Sequence, residues 1–471
     1  MLRNLNLTTA NITQKRPIRV LQFGEGNFLR AFTGWIVDVM NEKTDFNGNI
    51  EVVSPLRSTS LPETDEQDNL YHVAVQGLEH NEVVSQVRLI SSVAAKVNPY
   101  KSFDAFLAAG ENRKLEFVFS NSTEAGIVFN PLDADPAIPG ESFPAKVTQL
   151  LYHRFRHFAG SLSKGLIFIP CELIDNNGDT LQSVVLQYCQ HWSLPVPFVQ
   201  WIKEANIFCN SMVDRIVTGY PKDNAAEINL RTGFNDKKLV AAEPYHLWVI
   251  EGEQKLNTLF PAQKAGLAVR FVRSIQPYRL QKVRILNGAH TLMVGIASLR
   301  GLKTVKESID HKDIGHFIRR TITEEIIPTL SLPVDELFAF TAEVMDRFGN
   351  PYIRHELSSI ALNSVSKFKV RVLPTLLDYL KAKSSLPPGL IQGFAAMILF
   401  YKGEWDGRKM PVNDSPEIMH FFETTWESSN IENVVTKTLS NKSLWDQDLT
   451  LIEGMEKAVT HSLQMLMKNN A

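Results

Sequence analysis

Cysteine is nearly absent from this 471-residue chain: Cys171, Cys189 and Cys209 are all it has. They form no CxxC pair and no His/Cys cluster of zinc spacing. That argues against a structural metal and a disulfide framework, and for a reducing compartment. Long apolar runs are missing too, since nothing approaches the roughly 18 consecutive apolar residues of a spanning helix. The polar start MLRNLNLTTANITQKRP lacks the apolar centre of a signal peptide. A cytoplasmic protein without a membrane partner is expected. Excess charge is also lacking: 49 Lys and Arg face 51 Asp and Glu, a net charge of -2. No basic surface therefore speaks for nucleic acid, although a few local cations can still hold an anionic small molecule. Internal repeats and low-complexity linkers are not found.

What is present is ordinary globular composition, 44% hydrophobic and 21% charged, in a chain too long for one core. Apolar runs at 18–23 (IRVLQF), 49–53, 115–119, 165–170 and 238–241 read as buried strands. Helical patterns at 27–41, 145–158 and 181–191 fall between them. Strand and helix in alternation predict a parallel sheet covered on both faces. After about residue 275 strand-like runs nearly vanish. Helix-length segments follow at 312–327, 334–348, 353–366, 371–383, 390–401 and 448–467. The expected architecture is α/β: a Rossmann-like nucleotide-binding domain at 15–274, then a mainly helical domain at 275–471, with the active site between them.

Phe23-Gly24-Glu25-Gly26-Asn27-Phe28-Leu29-Arg30 follows the first strand and opens the first helix. Gly24 permits a tight turn, and Gly26 lets backbone N–H groups approach a pyrophosphate at a helix N-terminus. Leu29 stands where the usual fingerprint has its third glycine, so the motif alone fits a plain strand-to-helix turn equally well. The second strand runs into Ser54-Pro55-Leu56-Arg57 without the acidic residue that selects NAD. The residues alone leave NAD and NADP both open.

Lys282-Val283-Arg284-Ile285-Leu286-Asn287-Gly288-Ala289-His290 starts near the inferred domain boundary. On a helix at about 100° per residue, His290 lies ~80° and Asn287 ~140° round from Lys282, so all three can look into one cleft. Reduction of a ketone by hydride leaves an alkoxide that must gain a proton. A lysine serves when burial and nearby positive charge, here from Arg284, lower its pKa from about 10.4. Asn287 can donate to the developing oxyanion, and His290 can orient a hydroxyl. The same three residues also fit a solvated helical face with a cap, and spacing by itself does not choose.

The Lys-x4-Asn-x2-His spacing resembles the signature of the polyol-specific long-chain dehydrogenases, the mannitol dehydrogenase family. Further matches run in order along nearly the whole chain. They are the Gly24-x-Gly26-x-Phe28-x-Arg30-Ala31 turn, Thr123-Glu124-x-Gly126, Asn177-Gly178 and Met212-Val213-Asp214-Arg215-Ile216, then Glu243-Pro244-Tyr245-x-x-Trp248-Val249-Ile250 and Arg347-Phe348-x-Asn350-Pro351. Within the family, QFGEGNFLRAF, FSNSTEAGI, IPCELIDNNGD and ILNGAHT resemble the members that act on sugar acids. The resemblance implies NAD-linked interconversion of D-tagaturonate and D-altronate, with no catalytic metal. It implies Lys282 as general acid/base, Asn287 and His290 on the substrate oxygens, and Asp214 and Lys367 in contact with substrate. It also implies a dinucleotide at Phe23–Phe28, Ser54, Thr123 and Glu124.

Two departures from the family pattern bear on substrate. Cys171-Glu172-Leu173 replaces a stretch that carries a second oxyanion asparagine, and Ser359 replaces a polyol-gripping arginine. A uronate carboxylate needs a cation, for which Arg354, His355, Lys367 and Arg371 are candidates, with Arg354 as the expected clamp. Lys367, Lys369 and Arg371 fit a solvated face as well. Competing functions are a fructuronate- or mannitol-type reductase, a metal-dependent uronate epimerase built on His246, Glu243 and Asp214, and a non-catalytic nucleotide sensor.

Overall fold

The computed structural model describes residues 2–54, 57, 65–122, 126–427 and 430–468. The chain divides into two compact units. The first holds residues up to Gln76 and Val84–Ile275; the second holds Gly77–Val83 and everything from Gln276 onward.

Six strands make the main sheet of the first unit: β1 (Ile18–Phe23), β2 (Asn49–Val53), β3 (Val93–Val97), β4 (Phe117–Ser120), β5 (Ile167–Pro170) and β6 (Ile207–Phe208). They lie in the order β3-β2-β1-β4-β5-β6, with every pairing parallel. Alternation along the strands divides the apolar side chains between two cores. Val20, Ile50, Val52, Phe117, Phe119 and Ile169 pack on one face, and Leu21, Phe23, Val53, Val118 and Phe168 on the other. This is the doubly covered parallel sheet that the apolar runs predicted.

The run at 238–241 does form a strand, Val240–Ala242, but in a second sheet of four strands. Its parallel neighbour is Tyr71–Glu79, which turns into Glu82–Ile90 through His80 and Asn81. Both turn residues have positive φ, 53° and 62°, as a two-residue hairpin turn of type I′ requires. Sequence patterning misses this hairpin because its first strand buries polar side chains. His72 is 5% exposed and is paired through Nδ1 to Asp236 at 2.9 Å.

The second unit is helical, apart from the hairpin tip and the short pair Glu404–Trp405 and Arg408–Lys409. Its central helix continues from Gln276–Gln281 through Lys282–Asn287 to Gly288–Leu299. It packs on Pro388–Phe400, where Gly295 brings the backbones together. A Cβ there would stand 3.0 Å from the Ala396 carbonyl carbon. The helix expected over 353–366 is broken: Leu357–Ala361 and Ser364–Arg371 are separate. Leu362 pairs with Asn413 as an isolated bridge, and Asn363 turns left-handed at φ 55°. No helix among the described residues is long and apolar enough to cross a membrane.

Candidate active site

In the first unit the glycine turn lies where the strand order reverses, between β1 and β4, the place where open α/β sheets bind their ligands. Gly24 has φ +113°, and a Cβ on it would meet Leu29 Cδ1 at 3.1 Å. Leu29 thus fills the space beside the turn. Around Gly26 a Cβ would meet nothing within 4 Å, which leaves the backbone open to a ligand. An α-turn at Asn27–Leu29 widens to i→i+5 bonding over Arg30–Gly34 and narrows again over Trp35–Lys43. Side chains satisfy the carbonyls of the widened turn: Tyr71 Oη donates to Arg30 O (3.0 Å), Arg215 Nη1 to Ala31 O (2.6 Å) and Ser92 Oγ to Gly34 O (2.7 Å).

The turn itself is braced at each end. Gln22 Nε2 donates to Gly24 O at 2.9 Å, while Thr33 Oγ1 donates to Gln22 Oε1 at 2.6 Å. Glu25 accepts from Ser54 Oγ at 3.0 Å and Lys96 Nζ at 2.9 Å. Burial acts to raise the Glu25 pKa, but Lys96 and Ser54 outweigh it and hold the carboxyl below its ordinary range. The Phe23 side chain is core, edge-on to Phe143 at 5.0 Å, so only its backbone belongs to the turn. Asn27 is exposed and held by Arg30; Phe28 stacks on Phe32 at 4.9 Å. Arg57 is paired to Glu141 and lies 4.9 Å over the Tyr100 ring. Thr123 and Glu124 lie outside the described residues.

Beyond β4 the first unit is equally well satisfied. Glu172 is buried and accepts from Ser122 N (2.8 Å), Ser122 Oγ (2.9 Å) and Ser120 Oγ (3.0 Å), so it ties down the end of β4 and Ser122. Leu173, beside it, is 63% exposed. Asn177 gives its amide to the carbonyls of Pro170, Glu172 and Ser211, a structural brace. Asp214 is buried on the strand Ser211–Asp214. His246 accepts from Ala268 N at Nε2 (3.1 Å) and meets Pro244 O at Nδ1 (3.1 Å). Burial, then Arg215, push its pKa down to about 4. Among the described residues no three His, Cys, Asp or Glu side chains group as a metal site.

In the second unit Lys282, Asn287 and His290 do lie on one continuous helix, but it is not uniform. Over Lys282–Asn287 the bonding widens to i→i+5. Residues five apart are then nearer one line than the ~140° of an α-helix, so Asn287 is turned toward the side of Lys282. Arg284 is not the neighbouring cation expected for Lys282. It ion-pairs with Asp378 at 2.6 Å and donates to Thr329 Oγ1 at 3.2 Å.

Positive charge gathers instead around His290. Its Nε2 is buried without a hydrogen-bond partner among the described residues, and its ring lies 4.3 Å from Phe348 and 5.0 Å from His355. Burial, reinforced by His355, Arg347, Arg371 and Lys367, holds the imidazole well below its ordinary pKa, so it is neutral near pH 7. Lys367 Nζ donates to Ile360 O at 2.8 Å. Arg354, the expected clamp, is not part of this group: its side chain is 75% exposed and paired with Glu356 at 2.5 Å. The sequence carried no signal for the widened turn or for which cations stay unpaired.

Strand order and the turn at its reversal define the first unit as a Rossmann-type dinucleotide-binding domain. The mannitol dehydrogenase Rossmann domain matches residues 18–263, and the mannitol dehydrogenase C-terminal domain matches 274–467. The chain belongs to the mannitol dehydrogenase family and is an oxidoreductase acting on a CH–OH group.

Its relatives include altronate oxidoreductase of Yersinia enterocolitica serotype O:8, 45% identical over 460 residues, covering 96% of this chain and 95% of the relative. Altronate oxidoreductase of Escherichia coli O9:H4 is 45% identical over 458 residues with the same coverage. Two solved structures share the fold. Substrate-free D-sorbitol dehydrogenase has TM-score 0.78 and 21% identity over 98% of this chain and all of the other. Pseudomonas fluorescens mannitol 2-dehydrogenase with NAD and D-mannitol has TM-score 0.64 and 19% identity, over 99% and 97%.

Proposed function

We propose that the protein is an NAD-dependent reductase interconverting D-tagaturonate and D-altronate. The observation that carries this reading is the Lys282–Asn287–His290 set on one widened helix, in a chain 45% identical to altronate oxidoreductases. The glycine turn fits a dinucleotide, because the space at Gly26 is open and a helix start supplies unpaired N–H groups. Bound there, the dinucleotide supplies or takes the hydride at the substrate carbon.

The chain's own residues manage the oxygen. Lys282 donates a proton to the carbonyl oxygen during reduction and takes it back from the alcohol in reverse. Asn287 donates an amide N–H to that oxygen as negative charge grows on it. His290, neutral and unpartnered at Nε2, meets an adjacent substrate hydroxyl. The Lys282 ammonium answers the developing charge, so the proposed reaction runs without a metal. Asp214 and Lys367 are assigned substrate contacts. Selectivity for NAD is given to Glu25, whose ionised carboxylate beside Ser54 can accept from ribose hydroxyls. Arg57 and Lys96, the cations nearby, are already paired to Glu141 and Glu25.

The test is loss of reduced-nicotinamide absorbance with NADH or NADPH and a panel of keto-uronates and ketoses, with and without EDTA. Oxidation of NADH that needs a keto-uronate and survives EDTA is expected. Nucleotide binding without turnover on any of them would favour a sensor and end this reading.

A further inference from the structure

Arginines that are partly or fully buried in this chain are held by acceptors. Arg154 donates to the carbonyls of Lys164, Gly110 and Asn112, Arg215 to those of Glu243 and Ala31, and Arg284 pairs with Asp378. Arg371 breaks the pattern. It is half-buried at the end of the helix Ser364–Arg371, and among the described residues nothing accepts from its guanidinium.

Its surroundings make the lack of a partner costly. Lys367 stands four residues earlier on the same helix face, a like-charge i,i+4 pair that destabilises a helix. Lys369, by contrast, is satisfied by Asp446 at 2.6 Å. The carboxylate felt by Lys367 is Asp414, which is already engaged by Tyr401 Oη and the Ser415 N–H. The Arg371 end of this helix abuts the catalytic helix: a Cβ on Gly288 would lie 3.5 Å from Arg371 O. The Arg371 and Lys367 charges also act on the His290 ring.

We propose that Arg371 is the carboxylate clamp of the substrate site, with Lys367 beside it, and that this pair selects a uronate over a neutral ketose or polyol. The inference rests on the reductase reading and deepens it by naming the group that recognises the acid end. A planar guanidinium with free N–H groups matches a carboxylate through two parallel hydrogen bonds, whereas a CH2OH group offers neither the charge nor the second acceptor. The bound anion also neutralises the Lys367–Arg371 repulsion. Arg354 has no part in it.

The experiment compares wild type, R371M, R371K and R354A, each with NADH, on D-tagaturonate and on the matching ketose that carries CH2OH in place of the carboxylate. In R371M, KM for the uronate should rise about 10- to 100-fold, the worth of a charge-assisted pair, with KM for NADH unchanged. The preference in kcat/KM for uronate over ketose should collapse by the same factor. R371K, keeping the charge without the fork, should fall between, and R354A should match wild type. An unchanged uronate KM in R371M, or an equal loss on uronate and ketose with no rescue in R371K, overturns the clamp while the reductase reading stands. Wild type that fails to oxidise NADH with any keto-uronate overturns the reductase reading itself.

Discussion

The glycine turn of the first unit and the cationic cluster of the second treat polar groups in opposite ways. Around the turn nearly every polar side chain has found a partner within the chain: Gln22 with Thr33, Glu25 with Ser54 and Lys96, Glu172 with Ser120 and Ser122. Around His290 the balance is left open: among the described residues its Nε2 has no partner and Arg371 has no acceptor. The difference teaches how binding work is shared. A dinucleotide is held mainly through backbone, so side chains there serve to fix the main chain. On the proposed function, a small sugar acid is held through side chains, which in that reading stay unsatisfied until it arrives.

The largest expected effect tests whether chemistry resides with the open cluster. Lys282→Ala should lower kcat by a factor on the order of 10² or more while NADH still binds, as followed by stopped-flow turnover and NADH fluorescence. Near-normal turnover would remove the proton role. The converse change strikes the braced turn. Gly24→Ala forces a Cβ into a φ of +113° against Leu29, which should cost about 1–3 kcal/mol locally. The readout is a higher KM for NADH and a lower Tm, with kcat for bound substrate largely kept; a fall in kcat alone would blur the contrast.

Acid stability distinguishes satisfied from open histidines less sharply. His246 keeps a pKa of about 4 in the fold against 6.5 when free. Between those values the unfolded chain binds more protons, so stability falls as pH falls through that window, by about 1.4 kcal/mol per pH unit. Urea midpoints of His246→Gln should show a flatter slope than wild type between pH 6.5 and 4. A slope that stays the same assigns the acid sensitivity to other groups. His290, also depressed, adds to the loss in the same direction. The smallest effect belongs to Arg354→Ala, which removes an exposed pair and should leave every KM as it was.

Much of the first unit was legible because its strands are continuous apolar runs bounded by turn residues. NIEVV at 49–53 is a strand over those same residues, and IRVLQF is β1 itself. Patterning failed where polar groups are buried in pairs, as in the Tyr71–Glu79 strand with His72 against Asp236. It failed again at 353–366, where a bridge from Leu362 to Asn413, 51 positions away, divides a helix that local propensity favours.

At the candidate site the residue types were readable and their states were not. Lys282, Asn287 and His290 stand out by spacing, as Gly24 and Gly26 do by position. Whether an arginine is paired depends on where its neighbours fall in the fold: Arg284 meets Asp378 far along the chain, Arg354 meets Glu356 close by, and among the described residues nothing accepts from Arg371. Sequence by itself determined the alternation of apolar runs and the chemistry-bearing residues, since both are local properties of the chain. Tertiary structure alone decided the strand order that puts the turn at its reversal, the widened turn under Lys282, and which charges remain uncompensated. Those follow from packing between distant segments, which sets where each polar group can find a partner.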